Sequence, residues 1–197
     1  RDYYASRGLG DVYKRQQQME QLDEIYATLG RAVKLNKSLL LLSRIENGQY
    51  TEMEDVSVDE ILDELLPDLM DIYEHKQVRL IRKREEQPFI IRCNHSLAQI
   101  LVSNLVKNSL LHNREGGELQ VLTTPTSLVI KNTGDVPLDG EKLFRRFYHG
   151  MDGKKDSTGL GLAIARSIAL SSSLKLTYEW QDGMHTFRLV KESEIYR

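Results

Sequence analysis

The chain has 197 residues, of which 27 are Lys or Arg and 29 Asp or Glu, giving a formal net charge of −2. That length buries a real core in one ordinary domain plus an extra element, and the near-balance of charge leaves no electrostatic footprint for nucleic acid or for contact with an anionic membrane. The single cysteine, Cys93, excludes an internal disulfide framework and a Cys-rich zinc site and suits a reducing compartment. The five histidines show no metal-ligand spacing, and no apolar run approaches the ~18 residues that a membrane span needs.

Residues 1–16, RDYYASRGLGDVYKRQ, show neither helical nor strand periodicity and start without Met. They resemble a translated adapter and are set aside as a non-native or disordered tail. From Gln17 to Asn47 the pattern is helical, with Leu22, Ile25, Leu29, Ala32, Leu35, Leu39, Leu42 and Ile45 at spacings of three and four. Gly48 is the stop signal. One apolar stripe on so long a helix needs a partner, expected from a helix outside this sequence or from another subunit.

After Gly48 the character changes. YTEMEDVSV alternates as a strand does, Ser57 and Glu60 form a capping-box signature, and an amphipathic helix follows in which Pro67 is expected to make a kink or a split. QVRLIRK and PFIIRC read as short strands joined by a charged turn, and SLAQILVSNLVKNSLLHN as a helix. ELQVLTT and SLVIKN make a hairpin around Pro125, EKLFRRF a short helix, and HGMDGKKDST a Gly- and charge-rich loop. The helix begun by STGLGLAIARSIA and a hairpin of LKLTYEW with MHTFRLV close the chain. Helices interleaved with mostly antiparallel strands predict an α+β class, a two-layer α/β sandwich over residues 51–197.

Three polar segments border this apolar framework. Gly159 and Gly161 are two glycines at a helix start, where first-turn N–H groups and the helix dipole favour an anion. A packing or turn device fits the same residues. Ile164 stands where a dinucleotide fingerprint needs Gly or Ala, and no Lys-Ser or Lys-Thr follows for a Walker loop. Asn104 and Asn108, four residues apart, share a helix face. Their carboxamide oxygens suit Mg²⁺ carrying polyphosphate, or else a polar network between helix and sheet. In IKNTGDVPLD, Asn132 ends a strand and Thr133-Gly134 makes a tight turn, open to a flat ligand or simply a turn.

Taken in order, NLVKNSLLHN, IKNTGDVPLD, LFRRFYHG and STGLGLAIARSI resemble the N box, first glycine box, F box and second glycine box of the sensor histidine kinases of two-component signalling. That family shares the Bergerat-type ATP-binding fold of DNA gyrase and MutL. LNKSLLLLSRIENG is similar to the second helix of the dimerisation and histidine-phosphotransfer hairpin. The resemblance implies a tail over 1–16, a hairpin helix over 17–50 and a catalytic ATP-binding domain over 51–197.

By the same resemblance, Asn108 would bind Mg²⁺ between the ATP phosphates with Asn104 in support, and His112 would lie near the phosphates or ribose. Asn132 would read the adenine amine and Gly134 would let the adenine approach. Phe144 and Phe147 would pack the ATP lid, with Arg146 a phosphate contact. Residues 149 to 158 would form that mobile lid, ending at Thr158 and carrying Lys154 and Lys155 as further phosphate contacts. Gly159, Leu160, Gly161 and Leu162 would cradle the phosphates. The family usually has Asp where Asn132 stands, a glycine at Val136 and a basic residue at Leu111. The acceptor His and its acidic neighbour are absent, so this chain is expected to bind Mg-ATP and to present its γ-phosphate without autophosphorylating alone. A homodimer through the hairpin helix and a response regulator are the implied partners, with no nucleic acid. The implied location is the cytoplasm, in a parent protein that an inner-membrane anchor upstream would hold. A decayed nucleotide-binding scaffold, and an ATP hydrolase or serine kinase of the same superfamily, are the alternatives.

Overall fold

The computed structural model describes residues 2–148 and 158–192, with side chains from residue 16 onward except residue 17. The chain divides into two compact units, Arg1–Leu39 and Leu40–Arg197. Helix α1 (Asp2–Glu46) supplies the first and contributes its last turns to the second. Residues 2–16 continue α1 on its N-terminal side. No proline interrupts them, and a nucleated helix gains one hydrogen bond per residue added. Most of the stripe of the first unit is exposed, with Leu22 at 52%, Ile25 at 61% and Leu29 at 58%, whereas Leu35 and Leu39 are half-buried. In the second unit Leu42 and Ile45 are buried, and Gly48 ends the helix run with φ +62°.

Strand β1 (Glu54–Ser57) leads into α2 (Val58–Ile72), whose N-cap Ser57 accepts from the Glu60 N–H at 3.3 Å. Pro67 does not split α2. The N–H it lacks would have served Asp63, on the exposed face where water takes over. A 3₁₀ turn (Glu74–Lys76) precedes β2 (Arg79–Arg84) and β3 (Ile90–Cys93). These two strands lie in different sheets: β3 pairs antiparallel with β1, whereas β2 pairs parallel with β4 (Glu118–Thr124). The crossover from β2 to β4 carries α3 (His95–Leu111), as a parallel connection requires.

Strand β5 (Ser127–Thr133) follows β4 as a hairpin, and α4 (Gly161–Ser171), β6 (Leu174–Gln181) and β7 (Met184–Lys191) complete the fold. The five-stranded sheet has the order β2-β4-β5-β7-β6, antiparallel except at β2–β4. No helix forms over EKLFRRF, where residues 141–147 make turns. Asp139 takes the N–H groups of Glu141 and Lys142, and Phe147 adopts φ +61°, which no α-helix continues.

On the sheet face toward the helices, cross-strand rows run Thr123, Leu128, Leu189, Leu176 and then Val121, Ile130, Phe187, Tyr178. The third row is Leu119, Asn132, His185, Trp180. A charged knot closes the β2 side. Asp59, 6% exposed, accepts from the Phe89 N–H at 2.9 Å and the Thr123 hydroxyl at 2.6 Å, and pairs with Arg82. Burial pushes its carboxyl up, but the bonds from Thr123, Phe89 and Arg82 outweigh this and hold it below the usual carboxylate range.

Because the folded-state pKa of Asp59 is depressed, its contribution is complete above the unfolded value and is lost as pH falls through the folded one. Asp59→Asn, which leaves Arg82 without its partner, is expected to lower stability by about 3 kcal/mol at pH 7. It should also flatten the loss of stability below pH of about 4. Urea denaturation across pH measures both, and an unchanged acid limb would contradict the assignment.

Candidate functional site

Helix α3 starts at Asn94, whose Oδ1 accepts from the Leu97 N–H at 3.3 Å. It buries Leu97, Leu101, Val102, Leu105 and Val106, which leaves Asn104 and Asn108 half-buried at the edge of that apolar face. Its C-terminus is capped from outside. The Lys76 ammonium donates to the carbonyls of Leu110 at 2.9 Å, Asn113 at 3.0 Å and Leu111, matching charge to the negative end of the helix. His112 is the C-cap residue, and its N–H donates to the Asn108 carbonyl at 3.0 Å. Nothing in the sequence marks Lys76, because its partners lie 34 to 37 residues away.

Helix α4 begins directly after Leu160, a fully buried residue with no side chain to cap the helix. Gly159 has φ +65°, a conformation glycine adopts freely, and it turns the chain into the helix. Its carbonyl accepts from the Phe147 N–H at 3.0 Å, fixing the F-box segment to the start of α4. A Cβ on Gly161 would stand 3.3 Å from Asn104 Oδ1. The amide of α3 and the N-terminus of α4, 57 positions apart in the chain, therefore meet at a residue with no side chain. Thr158 and Leu162 are half-buried on either side of this turn.

The F-box residues divide. Phe144 is buried at 9% exposure with the Arg166 guanidinium 5.6 Å from its ring centroid, whereas Phe147 is 52% exposed. Arg146, half-exposed, pairs with Glu46 at the end of α1. Residues 149–157, with Lys154 and Lys155, lie outside the described residues.

At the far end of β5, Asn132 is 1% exposed and its Nδ2 donates to the Thr133 carbonyl at 3.2 Å. Gly134 has no positive φ, and the His185 imidazole occupies the space that a Cβ on it would take. The cause is strand register, since β7 places His185 opposite Asn132. His185 Nδ1 lies 2.8 Å from the Tyr178 hydroxyl, which accepts from the Leu138 N–H at 3.0 Å, and the Trp180 indole donates to the Gly134 carbonyl at 2.9 Å. Burial holds the His185 pKa below its ordinary value, partly opposed by Asp135. Tyr178, Trp180 and His185 carry no motif. Only the pairing of the closing hairpin with β5 brings them to the site.

This chain belongs to the histidine kinase-, DNA gyrase B- and HSP90-like ATPase family, whose profile matches residues 94–192. Its relatives are sensor kinases. It is 30% identical to the sensor protein CutS of Streptomyces coelicolor over 177 residues, covering 84% of this chain and 42% of that protein. It is 28% identical to the heme sensor protein HssS of Staphylococcus epidermidis over 158 residues, covering 75% of this chain and 33% of that protein. The chain thus spans well under half the length of these relatives. The fold is that of the catalytic domain of histidine kinase ThkA, with a TM-score of 0.63 at 18% identity over 72% of this chain and 97% of that one. Among the described residues no helix is long and apolar enough to cross a membrane.

Gly134→Ala drives a methyl group into the His185 ring, and an expected loss of about 1–3 kcal/mol follows from overpacking. Combined with His185→Ala, the two losses should sum to less than additive, since one change makes room for the other. Urea denaturation of the four chains checks it, and strict additivity would show that the contact is not made.

Proposed function

We propose that this chain is the Mg-ATP-binding catalytic part of a sensor histidine kinase, which transfers the γ-phosphate of ATP to a histidine on a hairpin helix outside this sequence. Relay to a response regulator follows, residues 17–50 serve as the second hairpin helix of a homodimer, and residues 51–197 serve as the catalytic domain. Residues 1–16 stay outside the working protein. The observation that carries this reading is the meeting of Asn104 with Gly161, which joins the amide face of α3 to the uncapped start of α4. Among named fold relatives, ShkA is described in complex with AMPPNP and ThkA in complex with the response regulator protein TrrA.

The residues present suit the metal. Asn104 Oδ1 is turned to the start of α4, and carboxamide oxygens are hard neutral ligands that leave the cation's charge to phosphate oxygens. Asn108 is the ligand and Asn104 its support. When bound, Mg²⁺ neutralises phosphate charge during transfer. The N–H groups at Gly161 and Leu162, offered by Gly159 and Leu160, hold the anion by hydrogen bonds and the helix dipole. His112, Arg146, Thr158, Lys154 and Lys155 line the phosphates, and Arg146 leaves Glu46 to do so. Asn132 reads the base. The chemistry of the protein is positioning and charge compensation, with no side chain exchanging a proton. Asn104 has no ionisable group, which disfavours water activation and hence a hydrolase.

A non-hydrolysable ATP analogue is expected to bind in a Mg²⁺-dependent way, weakened at least tenfold in Asn108→Ala. Hydrolysable ATP with an added hairpin fragment carrying the acceptor histidine should leave acid-labile phosphate on that fragment. Isothermal titration and acid-stability assays read these outcomes. No nucleotide binding with or without Mg²⁺ overturns the proposal.

A further inference from the structure

Helices α2 and α3 border an open groove of about 610 Å³, which touches the site described above only at Asn104. From α2 it is lined by Ile61, Glu64, Leu65 and Asp68, three and four residues apart, and from α3 by a stripe that runs from Ser96 through Ile100 to Lys107. The α3 stripe is about 17 Å long, or three helical turns. Ile61 is buried, whereas Leu65 and Ile100 are half-buried and keep apolar surface open to the groove.

The α2 wall is charged in one sense. Its sequence holds Asp59, Glu60, Asp63, Glu64, Asp68 and Asp71 and no basic residue. Arg82 and Arg84 of β2 take Asp59 and Asp63. Glu60, Glu64 and Asp68, each four residues from the next, form no ion pair among the described residues, and neither does Asp71. Lys107, the one cation in the lining, pairs with none of them. Like charges one turn apart are unfavourable on a helix, and cations brought against the row relieve them. The same carboxylates repel polyphosphate, so the groove is no extension of the anion site at α4. Both walls are helices whose backbone groups are bonded internally, so an extended segment cannot join them by strand addition. An occupant has to satisfy its own backbone while it offers an apolar face and positive charge, and a helix does all three. We propose that the α2–α3 groove docks a basic amphipathic helix of a partner protein. Two to three turns of that helix cover Leu65 and Ile100 with apolar side chains, and its Lys or Arg residues reach Glu64 and Asp68. This surface works whether or not nucleotide is bound.

The test titrates the full chain, without nucleotide, into a fluorescently labelled 18-residue helical peptide of Leu and Lys whose Leu residues recur at three- and four-residue spacing. Anisotropy is expected to report one-to-one binding with a dissociation constant below about 100 μM. The paired change Glu64→Lys and Asp68→Lys should weaken it about tenfold or more, and Leu65→Ala about fivefold. The same charge change at the exposed Glu85 and Glu86, off the groove, should leave it within about twofold. Weaker wild-type binding than 100 μM overturns the inference, as does an equal loss from the two charge reversals, which would mark general attraction to an acidic surface. Equal affinity for a Leu and Glu peptide of the same spacing also overturns it. Self-association of the chain that the Glu64 and Asp68 changes abolish would put a second copy in the groove instead, and overturn the partner assigned here. All four altered positions at the charge reversals are exposed, so these variants are expected to fold.

Discussion

One constraint organises the molecule: only one face of the five-stranded sheet carries continuous apolar rows. Its rows of Leu, Ile, Val and Phe are buried, while Gln120, Lys131, Arg188 and Glu179 sit on the other face. Each of those buried side chains contributes about 1.5–3 kcal/mol relative to exposure, so α3 and α4 have to share a single layer over the same rows. Two helices forced side by side bring their polar edges into register. Asn104 meets Gly161 for that reason, and a Cβ at position 161 would crowd the contact.

Two charged side chains fasten the ends of this layer, and both work across long stretches of chain. Asp59 ties the first turn of α2 to β2, β4 and the approach to β3 through Arg82, Thr123 and the Phe89 N–H. Lys76 performs the corresponding task at the C-terminus of α3, where its ammonium donates to three carbonyls at the negative end of the helix. A buried carboxylate and a partly buried ammonium are tolerated here because each has its hydrogen bonds filled. The Asn108–His112 turn, which the proposed site needs in one place, is fixed by the second of these ties.

The end of the sheet at Asn132 obeys a different logic. Where the sheet reaches its last row the apolar pattern stops, and an amide, an imidazole and an indole replace it. Their hydrogen bonds run to Tyr178, Thr133 and Gly134, and Tyr178 in turn accepts from the Leu138 N–H, so the row is ordered by polar contacts rather than by packing alone. A neutral Asn132 is then coherent with its neighbours. An ionised side chain in that position would face the desolvation that already lowers the pKa of His185.

Much of this was legible in the sequence, for a local reason. The amphipathic periods, Ser57 as a cap, Gly48 as a stop and the glycines of α4 all act within a few residues of themselves, so the order of elements and the four motifs could be read directly. EKLFRRF misled because its helical composition is overruled by the Asp139 turn and the positive φ of Phe147. What only the tertiary structure decided is pairing at a distance: β2 beside β4 instead of β3, Lys76 on the end of α3, and His185 in the space beside Gly134. Sequence by itself determined which groups are available for the site. Strand register and the shared helix layer decided which of them touch, because those depend on burying one sheet face and not on any neighbouring residue.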